Sequence, residues 1–572
     1  MKKFLLISFS FIFLYSCSDS KNNDINIPLT SEIESLVEHT KEFEKKVLSY
    51  ETPGGRIHFA IGFGIANSIM VEGENGNVII DAADSVYEAE QIYSLFSKKN
   101  NNPIRAIIYT HNHGDHTFGA AYYVKSQEVK PQIIAHEDTD YYVQRIMGIL
   151  NPIITSRSTR MFGTSLPEEE VINVGIGPNL SVSKSPTGYV KPDTTFSDNL
   201  KLNIEGIELE LYHAPGETND QIFIWLPKHK ALMPGDNIYK TFPNLYTIRG
   251  TTHRDVKGWI DSIDHMKTFE PEYLFPSHTK PILGKETIKD ALDIYRDAIQ
   301  YIHDQTIRLM NQGLYPDEIA DIIQLPDELA NSPYLYEFYG TVRWSVKSIF
   351  NGYLGWFSGN PSELDPLSRK DKALRISSLA GGNDRLLEQL HLAVKNEDMQ
   401  WALELSDYLI SLDLFTDEVK ELRIEALIYE GSRSSNPNKR NYFLTSAFEL
   451  NGSIRETSLL DRTSEDLLHQ ISIHTLFDVL STRYNPEREY NKNYKVCFSF
   501  ASGVTKNIIL RNKVAVVTHN FEDNCDLKII SEEIEFKKTL TGLSNPVSQI
   551  TTGDLIVEGS STEFLKFLTK FR

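Results

Sequence analysis

Positive charge is in short supply in this 572-residue chain: 58 Lys and Arg face 78 Asp and Glu, for a net charge of −20 at pH 7. General nucleic-acid binding needs a basic face, so that class of partner is set aside. The same field opposes an anionic substrate, which would need cations placed locally at its site. Cysteine is scarcer still. Of Cys17, Cys497 and Cys525, only the last two lie beyond the N-terminal segment. They are open to a disulfide in an oxidising compartment or to remaining two buried thiols. Long apolar runs are missing except at residues 4–15, so nothing further along is apolar enough to span a membrane.

That one run follows Lys2 and Lys3 and ends at Ser16-Cys17. A basic start and a short apolar stretch make a targeting segment rather than a comfortable membrane span. Leu14-Tyr15-Ser16-Cys17 resembles a bacterial lipobox, with Cys17 as the lipidated residue. The expectation is an exported bacterial lipoprotein, periplasmic or outer-membrane-associated, tethered through Cys17 and otherwise soluble.

Hydrophobic residues make up 40% of the chain and charged residues 24%, which suits a folded protein. One core rarely grows past about 250–300 residues, so several domains are expected. A polar tether at 18–28 precedes a helix expected over 32–48. Strand patterns follow at 57–60, 67–72 and 77–81, the last two joined by Gly73-Glu74-Asn75-Gly76. A helix at about 86–96 leads to an apolar strand at 106–109. A strand is read at 132–135, a loop at 157–166, two strand-like pieces across 200–212, and a hairpin from 222–226 and 231–233. Residues 286–312 carry Ile288, Ala291, Leu292, Tyr295, Ile299, Ile302 and Leu309 at helical spacing. Helical patterning then runs to about 450, with a helix pair at 389–395 and 401–412. From about 455 the pattern turns to α+β, with a helix at 464–481, strands at 494–501, 506–510 and 514–518, and a last helix at 561–570.

The chemistry starts at Thr110-His111-Asn112-His113-Gly114-Asp115-His116, directly after the 106–109 strand. His111 and His113 are spaced to direct both rings at one ion, and Asp115 and His116 to serve a second. Later turns supply Glu217 in Pro215-Gly216-Glu217, Asp236 in Pro234-Gly235-Asp236 and His278 in Pro276-Ser277-His278. Each follows a strand or stands at a turn, so all seven are expected to converge at one sheet edge. His111, His113 and Glu217 are assigned to the first ion, and Asp115, His116 and His278 to the second. Asp236 is the expected bridge. Two zinc ions per subunit suit this nitrogen and oxygen donor set, and a water between them becomes a nucleophile near neutral pH. His213, four residues before Glu217, is read as a supporting group and His136 as structural.

These motifs resemble the metallo-β-lactamase superfamily, and Glu217, where the wider pattern has His, resembles its alkylsulfatase branch. Further matches to that branch are the runs 223–227, 244–250, 339–341 and 353–361. The resemblance implies an α/β metallo-β-lactamase αββα sandwich, an all-α helical domain and a small α+β sterol carrier-like domain. Its divisions are a signal peptide with lipobox at 1–17, a tether and helix at 18–45 and a catalytic domain at 46–285. A helical dimerisation domain at 286–452 and a sterol carrier protein 2-like domain at 453–572 complete it, with a homodimer implied. Two departures stand out: Asp236 replaces a second Glu, and Phe162 occupies a loop position where the branch has Tyr.

The implied activity is zinc-dependent hydrolysis of alkyl sulfate esters to alcohol and inorganic sulfate. Asp115, Arg249 and Tyr353 form the expected catalytic set. Asn244, Arg249 and Tyr353 are the expected substrate contacts, since the Arg249 fork matches an oxyanion. Arg254 is a lesser substitute for Arg249. Trp344, Tyr353, Trp356 and Phe357 are candidates to line an apolar groove, and the C-terminal domain is expected to offer a tunnel for the alkyl tail. One scaffold hosts many chemistries. Another hydrolase of phosphoesters, lactams or lactones, and a lipid-binding protein with a vestigial metal site, therefore stand as alternatives.

Overall fold

The computed structural model describes residues 27–28, 30–178, 186–455, 465–487, 493–519 and 524–571. The targeting segment and lipobox lie outside the described residues. Where a helix was expected over 32–48, the helix Glu34–His39 and a short 3-10 turn give way to a strand at Lys46–Thr52. Leu48 and Tyr50 alternate toward a core there, and Pro53-Gly54 turns the chain into the pairing strand Gly55–Ile61.

Seven strands lie side by side in chain order, from Lys46–Thr52 to Thr194–Phe196. The first four are antiparallel and the rest join in parallel. A second, six-stranded sheet is built from the strands between Asn199–Ile204 and Ile282–Leu283. Side chains alternate in and out along each strand. Ile57, Phe59, Val78, Ile80 and Ile108 point inward to meet Leu211, Ile222, Ile224 and Met233 of the facing sheet. Ala60, Met70, Ile79 and Ile107 point outward, under the helix Val86–Phe96. On the far side, Phe223, Trp225 and Leu232 pack under the helices Val256–Lys267 and Lys285–Met310. This is an αββα sandwich.

The long helix Lys285–Met310 therefore belongs to the outer layer of the sandwich, although its sequence was read as opening the helical domain. Its Ile288–Leu292–Tyr295–Ile299 stripe lies in the same core as Trp259 and Leu274. Helices from Val342–Leu354 to Pro437–Asn451 follow. Among them the pair Asn383–Lys395 and Met399–Ser411 shares a core of Leu386, Leu390, Leu405 and Leu409. Among the described residues no helix is long and apolar enough to cross a membrane.

The last region is a five-stranded sheet with helices packed around Phe477, Phe498 and Phe536. Its expected first helix is broken at Ser472, which caps Ile473–Arg483 with its own hydroxyl. The strands Tyr494–Phe500 and Leu527–Ser531 pair in parallel, and a disulfide joins Cys497 to Cys525 with Cα atoms 5.9 Å apart. The bond closes a loop between residues 28 apart in sequence, a constraint worth about 3–4 kcal/mol in the chain-entropy model. Thermal unfolding with and without reductant should show the C-terminal transition falling when the bond is opened. An unchanged transition would show that the sheet does not depend on it.

Candidate functional site

The site forms where strands of both sheets end. The strand Ile104–Ile108 delivers His111, His113, Asp115 and His116, and Ala231–Met233 delivers Asp236. The strand Tyr273–Leu274 leads to His278. Gly235 turns the chain at φ +59°, and a Cβ there would run into the Gln221 amide. Asn67 fixes the His278 turn by donating to the carbonyls of Pro276 and Thr279 at 3.1 and 2.9 Å.

Two groups of ligating atoms result: His111, His113 and Asp236, and beside them Asp115, His116 and His278. Asp236 stands between them. Its Oδ2 is 3.0 Å from His278 Nε2 and 3.6 Å from His111 Nε2, while its Oδ1 is 3.5 Å from His116 Nε2. His116 Nε2 and Asp236 Oδ1 are buried and have no hydrogen-bond partner within the protein. Orphaned buried donor atoms of nitrogen and oxygen type, facing each other, fit divalent metal ions.

The electrostatics point the same way. Burial disfavours the charged ring of His278, but Asp236 prevails and raises its pKa to about 9. His116 is likewise pulled down by burial and then lifted well above its ordinary value by Asp115 and Asp236. Burial pushes the Asp115 carboxyl up, yet His116 and His278 bring it down to about 2. The carboxylates thus favour positive charge at the second group. His113 is different: burial, then His111 and Arg249, hold it well below the usual imidazole range.

Glu217 is not in either group. Its carboxylate accepts from the Tyr239 hydroxyl and the Asn244 amide, both at 3.1 Å, and meets Arg254 Nη1 at 2.9 Å. It still lines the same cavity as His113, Asp115 and Asp236. Asn244 and Arg254 are therefore buried around Glu217, and neither lines the cavity where a head group would lie. Arg249 lines the cavity, with Nη2 3.2 Å from His113 Nε2. His213 Nε2 donates to the Asn219 carbonyl, 2.7 Å away, and the ring stacks on His136 with ring centroids 4.2 Å apart.

Tyr353 is not brought to the site. It ends the helix Val342–Leu354, is 51% exposed, and its hydroxyl lies 2.8 Å from His303 Nε2 on the long helix. Trp344, Trp356 and Phe357 are also absent from the cavity wall. The stripe that buries Ile349 and Phe350 carries this segment onto the outer layer instead.

The cavity, of about 810 Å³, takes its apolar walls from elsewhere. Residues 157–166, read as a loop, lie mostly in the helix Asn151–Phe162, started by Pro152 and ended by Gly163 at φ 67°. This helix contributes Ile154 and Phe162, and the preceding helix contributes Ile146 and Met147. Leu476, Val479, Leu480 and Leu540 come from the C-terminal domain. That domain's tunnel was expected only from resemblance, and the contribution of the 151–162 helix was not foreseen. Its Ser, Thr and Arg content hides the apolar face.

Comparison with known proteins covers most of the chain. The model of the metallo-beta-lactamase superfamily matches residues 61–278, that of alkyl sulfatase dimerisation matches 315–453, and that of the alkyl sulfatase C-terminal region matches 461–572. A linear primary-alkylsulfatase of Pseudomonas sp. is 33% identical over 518 residues, covering 88% of this chain and 98% of the relative. An alkyl/aryl-sulfatase of Saccharomyces cerevisiae is 26% identical, covering 89% and 80%. The solved structure of the stereoselective inverting sec-alkylsulfatase Pisa1 from Pseudomonas sp. superposes with a TM-score of 0.86 at 22% identity, over 96% of this chain and 88% of the other.

Asp81 is the supporting residue that sequence reading missed. Buried at φ 59°, it accepts from Ser277 Oγ at 2.7 Å and from the Thr110 amide at 2.9 Å, and stands 2.7 Å from His116 Nδ1. It ties the His111–His116 segment to the His278 turn and leaves His116 Nε2 free to ligate. Asp81→Asn should weaken metal affinity by roughly 10- to 100-fold, read by metal titration of the purified protein. Unchanged affinity would show that packing alone orients His116.

Proposed function

The chain belongs to the alkylsulfatases, sulfuric ester hydrolases of the metallo-β-lactamase superfamily, and from that premise we propose that two zinc ions serve its hydrolysis of alkyl sulfate esters. The observation that carries this is the double group of His and Asp ligands set beside a largely apolar cavity. When bound, divalent ions supply Lewis acidity and lower the pKa of water, the chemistry ester hydrolysis needs. His111 and His113 hold the first ion, Asp115, His116 and His278 the second, and Asp236 lies between.

Arg249 is the residue that grips sulfate oxygens, because its planar fork lies beside His113 at the edge of the ligand groups. Glu217 stands on the cavity wall outside both ligand groups, held there by Arg254, Asn244 and Tyr239. The alkyl tail lies along Ile146, Met147 and Ile154 on one side and Leu476, Val479 and Leu480 on the other. Burying each methylene there contributes about 0.8 kcal/mol, which draws an amphiphile in and excludes water around the ester.

The active unit is a homodimer. Between residues 353 and 379 the apolar side chains of Leu354, Trp356, Leu364 and Leu379 stand 59–84% exposed, within the stretch that matches the dimerisation family. Export with a lipid tether at Cys17 suits both the N-terminal segment and the Cys497–Cys525 bond, since disulfides persist in oxidising compartments.

Purified protein should contain zinc, release inorganic sulfate from dodecyl sulfate and lose that activity to a chelator. Turnover of phosphodiesters with dodecyl sulfate untouched would overturn the substrate assignment. His113→Ala should lose metal and turnover together. Arg249→Ala should keep its metal and lose about 10- to 100-fold in kcat/KM, the scale of a charge-assisted hydrogen bond. Sedimentation should give a dimer mass, and Trp356→Asp combined with Leu379→Asp a monomer; a dimer that survives both changes must be held by another face.

A further inference from the structure

Among the described residues four arginines line the cavity, and two of them have no partner. Arg249 lies beside His113, and Arg157 donates to the Ile248 carbonyl. Arg145, half-buried on the helix Thr139–Met147, and Arg483, exposed at the end of Ile473–Arg483, make no hydrogen bond, ion pair or ring contact. In a chain with 78 acidic and 58 basic residues, carboxylates are in surplus, so two guanidiniums left free on one cavity wall stand out. The cavity's own acids, Asp84, Asp115, Glu217 and Asp236, belong to the metal-site end. Among the described residues no acid lines it from the helices Thr139–Met147 and Asn151–Phe162 or from the C-terminal domain. The two helices that carry Arg145 and Arg483 meet: a Cβ on Gly148 would touch Thr475 and Val479.

We infer that Arg483 and Arg145 form an entry relay for the anionic head group, passing it from the cavity mouth along the apolar wall toward Arg249. A sulfate approaching this chain meets a repulsive overall field, and then walls that offer it few hydrogen bonds. Both obstacles are lowered by fixed positive charge along the route, which raises the rate of capture rather than the rate of the chemical step. Exposure falls from Arg483 to Arg145, the order such a passage needs. The inference rests on the alkylsulfatase reading for the identity of the anion.

The test uses the metal-loaded full chain and octyl sulfate below its micellar concentration. Arg145→Gln with Arg483→Gln should lower kcat/KM by about tenfold at low ionic strength and leave kcat unchanged. The loss should vanish toward roughly 1 M salt, where charges are screened within about 3 Å. Arg145→Lys with Arg483→Lys should stay close to the parent. A loss that persists at high salt, an equal fall in kcat, or no loss at all would overturn the relay. The association rate of octane-1-sulfonate, which has no ester to cleave, gives a second reading. If the unaltered protein releases no sulfate, the proposed activity fails on its own account. The relay then stands on a salt-dependent slowing of sulfonate association in the Gln variant, and falls if that rate is unchanged.

Discussion

The structure turns on burying several carboxylates and imidazoles side by side. Asp81, Asp236 and Glu217 are each about 1% exposed, and His111, His116 and His278 are fully buried. Charges taken out of water at this density are costly unless each is paired or coordinates a metal. Glu217 is matched by Arg254, and Asp81 by His116, Thr110 and Ser277. Asp236 faces the imidazoles of His111, His116 and His278, and its Oδ1 makes no hydrogen bond. The arrangement is thus incomplete as a protein network and complete as a cation site.

That constraint explains why the sandwich is built so rigidly beneath the site. The ligands come from turns distant in sequence, and each turn is tied to its neighbours rather than left as a loop. Thr110 accepts the Ile222 amide across the two sheets at 2.9 Å. Asn237 donates to the Ala214 carbonyl at 2.8 Å and accepts from the Glu217 amide at 3.3 Å, linking the two acid-bearing turns. Supporting hydrogen bonds of this kind orient ligands and tune their basicity.

How much of this was legible depended on how local the signal was. His111, His113, Asp115 and His116 sit within six residues after an apolar strand, so their convergence is nearly dictated by covalent geometry. The strands at 57–60 and 222–226 were legible from their apolar runs, while the sandwich they build came from the family resemblance of the His-rich motif. Asp81 was not, because a lone Asp after a strand carries no pattern, and its role exists only once His116 and Ser277 are folded against it. The 151–162 helix was misread because Ser, Thr and Arg dominate a face that is apolar only where it meets the cavity. Tyr353 was placed at the head group by motif likeness, and the pairing with His303 could not be seen without the long helix beside it.

Head group and tail make opposite demands, and the fold answers them with different parts. A sulfate must be held to within a fraction of an ångström, which suits turns pinned at the ends of two packed sheets. An alkyl chain needs only dry apolar surface, and the free energy of burying it is non-directional. That surface can therefore be shared between the catalytic helices and a separate C-terminal domain without precise alignment. The disulfide at Cys497 and Cys525 stabilises the sheet behind that wall, not the ligand turns. Changes in the C-terminal domain should accordingly act through how amphiphiles are admitted and held, while changes near Asp236 act on whether the centre exists at all.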